Sequence, residues 1–318
     1  MKILDAAATA SALGWPALVA AIETIIRDSN AGQASAPPRV GVPLGDDAVW
    51  LLMPAVSKAA DLAACKLITV HSGNPARGLP TIQGDILAIR SSTGERLALL
   101  DGPAVTARRT AAVTAVAIRQ IQQARSALPT PAASCLIIGC GVQGRSHLDA
   151  LATLNPGTSF LLCSRTFASA RKLAAEAGAR GIDARAVPDP DPVVAEVDIV
   201  VTCTDAKQVC LRKPPRDGTI IAAIGSFRPD MSEVAPEVMR VIDRNILHDS
   251  ADAGHEAGEL ISNGVDVHGL PTLFSGGAAA LPAADRTVLF KSCGNALWDL
   301  AAVQAATEGL GLRPELPA

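Results

Sequence analysis

Tyrosine is missing from the 318 residues, and aromatic side chains of every kind make up only 3%. With hydrophobic residues at 49%, the core has to be built from Ala, Val, Leu and Ile, as where helices cover a mostly parallel sheet. An excess of positive charge is missing too, since the formal net charge is −3. That leaves no electrostatic footprint for a nucleic acid, and no RNA-reading motif is present. No run of about 18 apolar residues occurs, so no membrane-spanning helix is expected. Cys-x-x-Cys is absent, and the seven cysteines (65, 135, 140, 163, 203, 210 and 293) are odd in number and scattered. Buried free thiols in a reducing compartment fit that pattern, whereas a disulfide framework or zinc site does not. His71, His147, His248, His255 and His268 lack metal-ligand spacing, so no metal is expected. The opening MKILDAAATASALGWPALVAAIETII can be mistaken for a secretory leader, but Asp5 interrupts its apolar run. Beyond it Leu18, Ile22, Ile25 and Ile26 recur at helical spacing, with Pro16 in the first turn. An amphipathic helix within the fold is expected there, in a soluble, cytoplasmic protein.

What is present falls into two patterns, as the length itself favours two domains. Residues 36–56 hold short β-like pieces broken by Pro and Gly, 64–70 read as a strand, and two further strands flank a Ser-Thr-Gly turn. This front section reads as an open antiparallel sheet. A long helix over 108–128 carries the stripe Val113, Val116, Ala117, Ile121 and Ala124, and PTPAAS at 129–134 breaks it. From there the pattern alternates, with strands expected at 135–139, 159–163, 184–187, 197–203, 219–224 and 245–249 and helices between most of them. Six parallel strands with crossover helices make a doubly wound sheet. The stretch after 285, RTVLFKSCGNALWDLAAVQAATEGLGL, reads as a final helix.

The sharpest motif is CLIIGCGVQGRSH at 135–147, where a strand meets Gly139, Gly141 and Gly144 before a helix. In that context a Gly-x-Gly-x-x-Gly points to a dinucleotide, with Val142 and Gln143 in the same turn. The first glycine permits the tight turn, the second lets the backbone approach a pyrophosphate, and the third lets the helix pack close. The free N–H groups and partial positive charge of the helix N-terminus face the phosphates. A protein that takes NAD carries an acid at the end of the second strand. Here the second strand ends in Ser164-Arg165-Thr166. A guanidinium forks to a 2′-phosphate and hydroxyls donate beside it, so NADP(H) is expected, with NAD(H) as a weaker second cofactor.

Several stretches together carry a family resemblance: LLMPA (51–55), CKLITVHSGNPARGLPTIQG (65–84), DGPAVTARRTAAVTAVA (101–117), IIGCGVQGRSHL and GSFRPDMSEV (225–234). In order and spacing they resemble the ornithine cyclodeaminase/μ-crystallin family. The resemblance implies a Rossmann-type doubly wound sheet plus a smaller α+β domain that binds substrate and forms a homodimer. It also implies that the C-terminal helix returns to that smaller domain and that substrate sits between the domains. The expected division is 1–128 with 290–318 for substrate and dimer contacts, and 129–289 for the nucleotide. Arg39, Lys66 and Arg109 fall where the family's substrate-carboxylate and amino-acid contacts lie, and Thr81 at a further contact position. Two arginines and a lysine suit a small carboxylate. Taken singly, each reads first as a surface or interface ion pair.

The family includes cyclodeaminases, ketimine reductases, some alanine dehydrogenases, opine-type synthases and the ligand binder μ-crystallin. Its cyclodeaminases carry an aspartate where this chain has Phe227, and Asp230 three residues on is out of place to substitute. The resemblance therefore implies NADPH-dependent reduction of Δ1-pyrroline-2-carboxylate and Δ1-piperideine-2-carboxylate to L-proline and L-pipecolate. A cyclodeaminase or alanine dehydrogenase, and a non-catalytic NADP-dependent binder, are the alternatives. In that scheme Arg39 and Arg109 hold the carboxylate, Lys66 orients it or supplies a proton, and Thr81 and Ser226 add contacts. Cys203, Thr204, Gly225, Ser226 and Asp249 come after the fourth, fifth and sixth strands, where a parallel sheet lines its crevice.

Overall fold

The computed structural model describes residues 1–125, 133–205, 208–275 and 285–312. The chain divides into two compact units, Met1–Val113 with Asn295–Ala318, and Thr114–Gly294. The expected border at 128/129 lies outside the described residues.

The first unit is built on β1 (Lys2–Leu4), β2 (Ala34–Ser35), β3 (Val40–Gly45), β4 (Ala48–Ser57), β5 (Leu62–His71), β6 (Ile82–Arg90) and β7 (Arg96–Asp101). They form one sheet in the order β1-β7-β6-β5-β4-β2, with β3 also on β4. Every pairing is antiparallel except that of β1 with β7. Alternation sets the buried face: on β5, Leu62, Ala64, Lys66 and Ile68 point inward. A lysine holds a position that its neighbours fill with apolar side chains. Helices α1 (Ala6–Ala12) and α2 (Trp15–Asn30) come after β1, and Leu18, Ile22, Ile25 and Ile26 of α2 are buried as the spacing predicts. Among the described residues no single helix is long and apolar enough to cross a membrane.

Helix α3 (Gly102–Arg125) starts six residues before the expected position. The side chain of Asp101 accepts from Ala104 N at 2.7 Å, capping the helix, and Pro103 suits its first turn. Val113, Val116, Ala117 and Ile121 are buried, while Ala124 is only partly so.

The second unit alternates β8 (Ser134–Ile138), α4 (Val142–Leu154), β9 (Ser159–Cys163), α5 (Phe167–Gly178), β10 (Ala184–Ala186), β11 (Ile199–Thr202) and β12 (Ile220–Ala223). The chain continues through α6 (Pro236–Ile242), β13 (Ile246–His248), α7 (Ala253–Glu256), α8 (Gly258–Ser262) and β14 (Val288–Lys291). The sheet is wholly parallel, in the order β10-β9-β8-β11-β12-β14-β13. The strand order reverses between β8 and β11, the switch point at which such sheets take their ligands. β14 is a seventh strand where the sequence predicts only helix. Its four residues are all buried, and so short an apolar run has no period to separate strand from helix. Gly294, at φ +86°, ends that segment, and Asn295 caps the next helix by accepting from Leu297 N at 2.9 Å. That helix, α9 (Ala296–Gly309), packs in the first unit against α2, β4 and β5. Residues 296–307 are buried all round.

Candidate active site

In the second unit, β8 runs into Gly139, whose φ of +115° lies where only glycine is comfortable. A side chain there would strike the carbonyl of Cys203, and one on Gly144 would overlap the Gly139 carbonyl. These two glycines let α4 and the β11 loop close on the β8 turn. Gly141 differs, because a Cβ there would meet nothing within 4 Å. That position is open, and α4 begins beside it without a side-chain cap. An exposed backbone edge at an uncapped helix N-terminus fits a pyrophosphate. Val142 is exposed and Gln143 partly buried at the same turn. At the end of β9, Ser164 is partly buried while Arg165 and Thr166 are exposed, and no carboxylate occupies these three positions. Arg165 makes no salt bridge among the described residues; Thr166 Oγ shares a hydrogen bond of 2.7 Å with Ser169 Oγ.

The strand-end loops are held by a carboxylate that sequence reasoning missed. Glu233 is fully buried. It accepts from Thr202 Oγ at 2.8 Å, Thr204 N at 2.7 Å, Thr204 Oγ at 2.8 Å and Gly225 N at 2.6 Å. Both oxygens are therefore used, and the loops after β11 and β12 share one anchor. Burial raises the Glu233 carboxyl pKa, against the pull of Lys291 and these donors. Beside it lies a second fully buried group. Lys291 Nζ is 3.0 Å from Glu259 Oε1 and donates to Ser226 Oγ at 2.6 Å, while Ser226 Oγ donates to Glu259 Oε2 at 2.5 Å. Burial works against the Lys291 ammonium, but Glu259, Cys293 and Glu233 carry its pKa above the ordinary lysine value. The Ser226 side chain is thus committed to the interior, and its carbonyl accepts from Cys293 Sγ at 4.0 Å. Asp249 ties β13 to the segment after β14, accepting from Ser292 Oγ at 2.7 Å and Cys293 N at 3.0 Å. Cys203 is buried with its thiol pKa pushed well up, chiefly by burial, which makes it a poor nucleophile. His147 contacts Gln143 O at 2.8 Å and Thr114 Oγ at 3.0 Å, and burial lowers its pKa to about 4, so it is a neutral structural group.

In the first unit Lys66 and Arg109 meet on one carboxylate. Lys66 Nζ is 2.8 Å from Asp299 Oδ2, and Arg109 Nε is 3.2 Å from Asp299 Oδ1. All three residues are buried. Arg39, half-buried, precedes β3, whose Val40 pairs with Leu52; the neighbouring Met53 pairs with Lys66. Burial lowers the Lys66 pKa to about 8; Asp299 opposes the shift, and the charges of Arg109 and Arg39 add to it. The cluster is net positive and suits an anion. Of the Arg108-Arg109 pair only the second joins it. Arg108 stacks 3.9 Å above Trp15 and donates to Leu13 O at 2.8 Å, anchoring α3 to the start of α2. Thr81 is exposed opposite His71, about 16 Å along β5 from Lys66, and stands apart from the cluster. Asp299 was not foreseen, and no local pattern marks it.

Residues 2–310 match the ornithine cyclodeaminase/mu-crystallin family. The chain belongs to that family. It is 40% identical to the Delta(1)-pyrroline-2-carboxylate/Delta(1)-piperideine-2-carboxylate reductase of Azospirillum brasilense, over 98% of this chain and 97% of that one. It is 31% identical to the ketimine reductase mu-crystallin of Mus musculus, over 92% and 91% of the two chains. Among solved structures it resembles the Thermococcus litoralis Delta(1)-pyrroline-2-carboxylate reductase in complex with NADH and L-proline. That likeness has a TM-score of 0.86 at 24% identity, covers 97% of each chain, and speaks to the fold. The Rossmann-type sheet and the second sheet unit expected from the sequence are both present.

Removing the Glu233 carboxylate strands the amides of Thr204 and Gly225 and frees both loops. Glu233→Ala is expected to lose about 3 kcal/mol of stability in urea denaturation. Nicotinamide nucleotide affinity, measured by fluorescence titration, should fall with it.

Proposed function

We propose that the protein reduces the C=N bond of small cyclic 2-imino acids with NADPH, forming L-proline from Δ1-pyrroline-2-carboxylate and L-pipecolate from Δ1-piperideine-2-carboxylate. Its class, an oxidoreductase acting on C=N, is supported by reductases 38–40% identical over nearly the whole chain. The observation that supports the substrate reading is the approach of half-buried Arg39 to buried Lys66 and Arg109, a cationic cluster on the core face of β5 that suits an anion. Arg109 turns Nε toward Asp299, so its Nη fork remains for a carboxylate. Arg39 reinforces that grip. Lys66 sits beside the carboxylate site, and an ammonium with a pKa near 8 can donate a proton near neutral pH.

Gly139, Gly141, Val142, Gln143 and Gly144 would hold the cofactor's pyrophosphate, Ser164, Arg165 and Thr166 its 2′-phosphate, and Cys203, Thr204, Gly225 and Asp249 the nicotinamide end. When bound, the cofactor supplies a hydride for the imine carbon. The backbone of Ser226 is a further contact in this reading, whereas Thr81, far along β5 from Lys66, is not. Against cyclodeamination stands Phe227, which has no proton to take or give. Asp230 is gripped by Arg228 through two hydrogen bonds of 3.0 and 2.9 Å and is not free to replace the missing carboxylate.

The reading includes a cytoplasmic homodimer. The outer face of the first sheet carries Val40, Val42, Trp50, Leu52, Leu67 and Leu87, and Val40, Val42 and Trp50 are exposed. An exposed apolar cluster on a sheet face suits a protein contact.

Three measurements test this. NADPH oxidation is expected with both cyclic imines, and none with pyruvate plus ammonia or with ornithine; ammonia release from ornithine would overturn the assignment. Arg165→Ala should raise the KM for NADPH at least about tenfold through loss of a charged hydrogen-bond fork, and leave the KM for NADH nearly unchanged. Equal effects on the two cofactors would remove the 2′-phosphate role. In sedimentation velocity the wild type should run as a dimer and Trp50→Glu as a monomer.

A further inference from the structure

Among the described residues, Asp299 is the carboxylate that touches both Lys66 and Arg109, through different oxygens, at 2.8 and 3.2 Å. It stands on α9, the last helix, although its partners lie on β5 and α3. The neighbours of Lys66 on the adjacent strands, Met53 and Ile86, are apolar. The charged groups that face Lys66 are Asp299 from α9, Arg109 from α3, and Arg39 from the segment before β3. Two of these three are cations. Without Asp299, Lys66 would lose the one carboxylate among the causes acting on its charge and keep the opposing effect of Arg109 and Arg39. The lysine would give way first, because a guanidinium does not deprotonate in a protein.

We propose that Asp299 is a positioning residue for the reduction: its two oxygens fix the Lys66 ammonium and the Arg109 guanidinium side by side, so that Lys66 meets the substrate as an acid. The inference rests on the reading of this cluster as the substrate end of the site. Burial and the two arginines draw the Lys66 pKa down to about 8, and Asp299 is what keeps it from falling further.

The test reads Lys66 directly, in the full-length protein labelled with 13Cε-lysine, its signal identified by its absence in Lys66→Met. The wild-type signal is expected to titrate near pH 8. In Asp299→Asn, which keeps the shape and removes the charge, the midpoint should move acidward by at least about 1 unit. The protonated form is the working one, so activity is lost as pH rises through this value. The alkaline limb of kcat/KM should therefore shift acidward by the same amount, with kcat affected more than KM. An unchanged Lys66 titration in the variant overturns the proposal. A second measurement needs no variant: the 13Cγ signal of Asp299 should report the Lys66 titration in the wild type, and a flat Asp299 signal overturns it equally. Both spectra are recorded without substrate, so they stand even if the imine panel fails, and a successful panel does not rescue them.

Discussion

A lysine on the buried face of a β-strand is the constraint around which the first unit is arranged. Taking an ammonium out of water costs several kcal/mol even after the protein relaxes. Position 66 alternates with Ala64 and Ile68, so packing alone would favour an aliphatic side chain there. The fold keeps the charge by bringing one carboxylate to it, and the same carboxylate also meets a buried arginine. That arrangement does not optimise stability, since a buried pair is seldom worth more than a hydrophobic replacement. It does leave Lys66 with more positive than negative charge acting on it, which is the feature on which the proposed anion site rests.

The same economy of carboxylates runs through the second unit. Parallel strands end together at one edge, and their loops have no ladder to hold them beyond the last pair. Glu233 joins the loops after β11 and β12, Glu259 and Lys291 fix the side chain of Ser226, and Asp249 joins the segments after β13 and β14. Each buried carboxylate finds its donors among hydroxyls and backbone amides, or beside an ammonium. The β11 loop is tied in turn to the glycine turn, because Gly139 and Gly144 leave room for Cys203 beside them. Loops tied this way lose less freedom if a ligand is to be ordered against them.

How much of this was legible in the sequence depends on how local each cause is. Gly139 and Gly144 were readable because a steric demand on the backbone is written as glycine at the position that feels it. The α2 stripe was readable because burial of one helix face repeats every three to four residues. Arg39, Lys66 and Arg109 were singled out through family resemblance, and their physical reason became visible only once β5 was seen to turn Lys66 inward. β14 was missed because four apolar residues have no period, although Gly294 and Asn295 just after it spell the end of one element and the cap of the next. The start of α3 was misplaced although Asp101-Gly-Pro103 carries a capping signal. Asp299 and Glu233 had no such mark, because a buried carboxylate is defined by donors that lie far away in sequence. Nothing near residue 299 announces that its partners are at 66 and 109.

That last point bears on why α9 is where it is. The helix is mostly apolar and buried along nearly its whole length, so its burial holds it firmly in the first unit. An acidic residue in the buried stretch of such a helix would be an expensive defect if it only packed. Set against β5 and α3 it becomes the counter-charge of two cations, and the hydrophobic surface around it excludes the water that would otherwise screen them. A carboxylate on a mobile loop could neutralise Lys66 equally well on average. It could not hold the ammonium and the guanidinium at fixed separation, and the proposed grip on a small planar carboxylate would need that separation. The return of the chain to its first unit after the nucleotide fold is thus explained by the geometry of charge as much as by the burial of another helix.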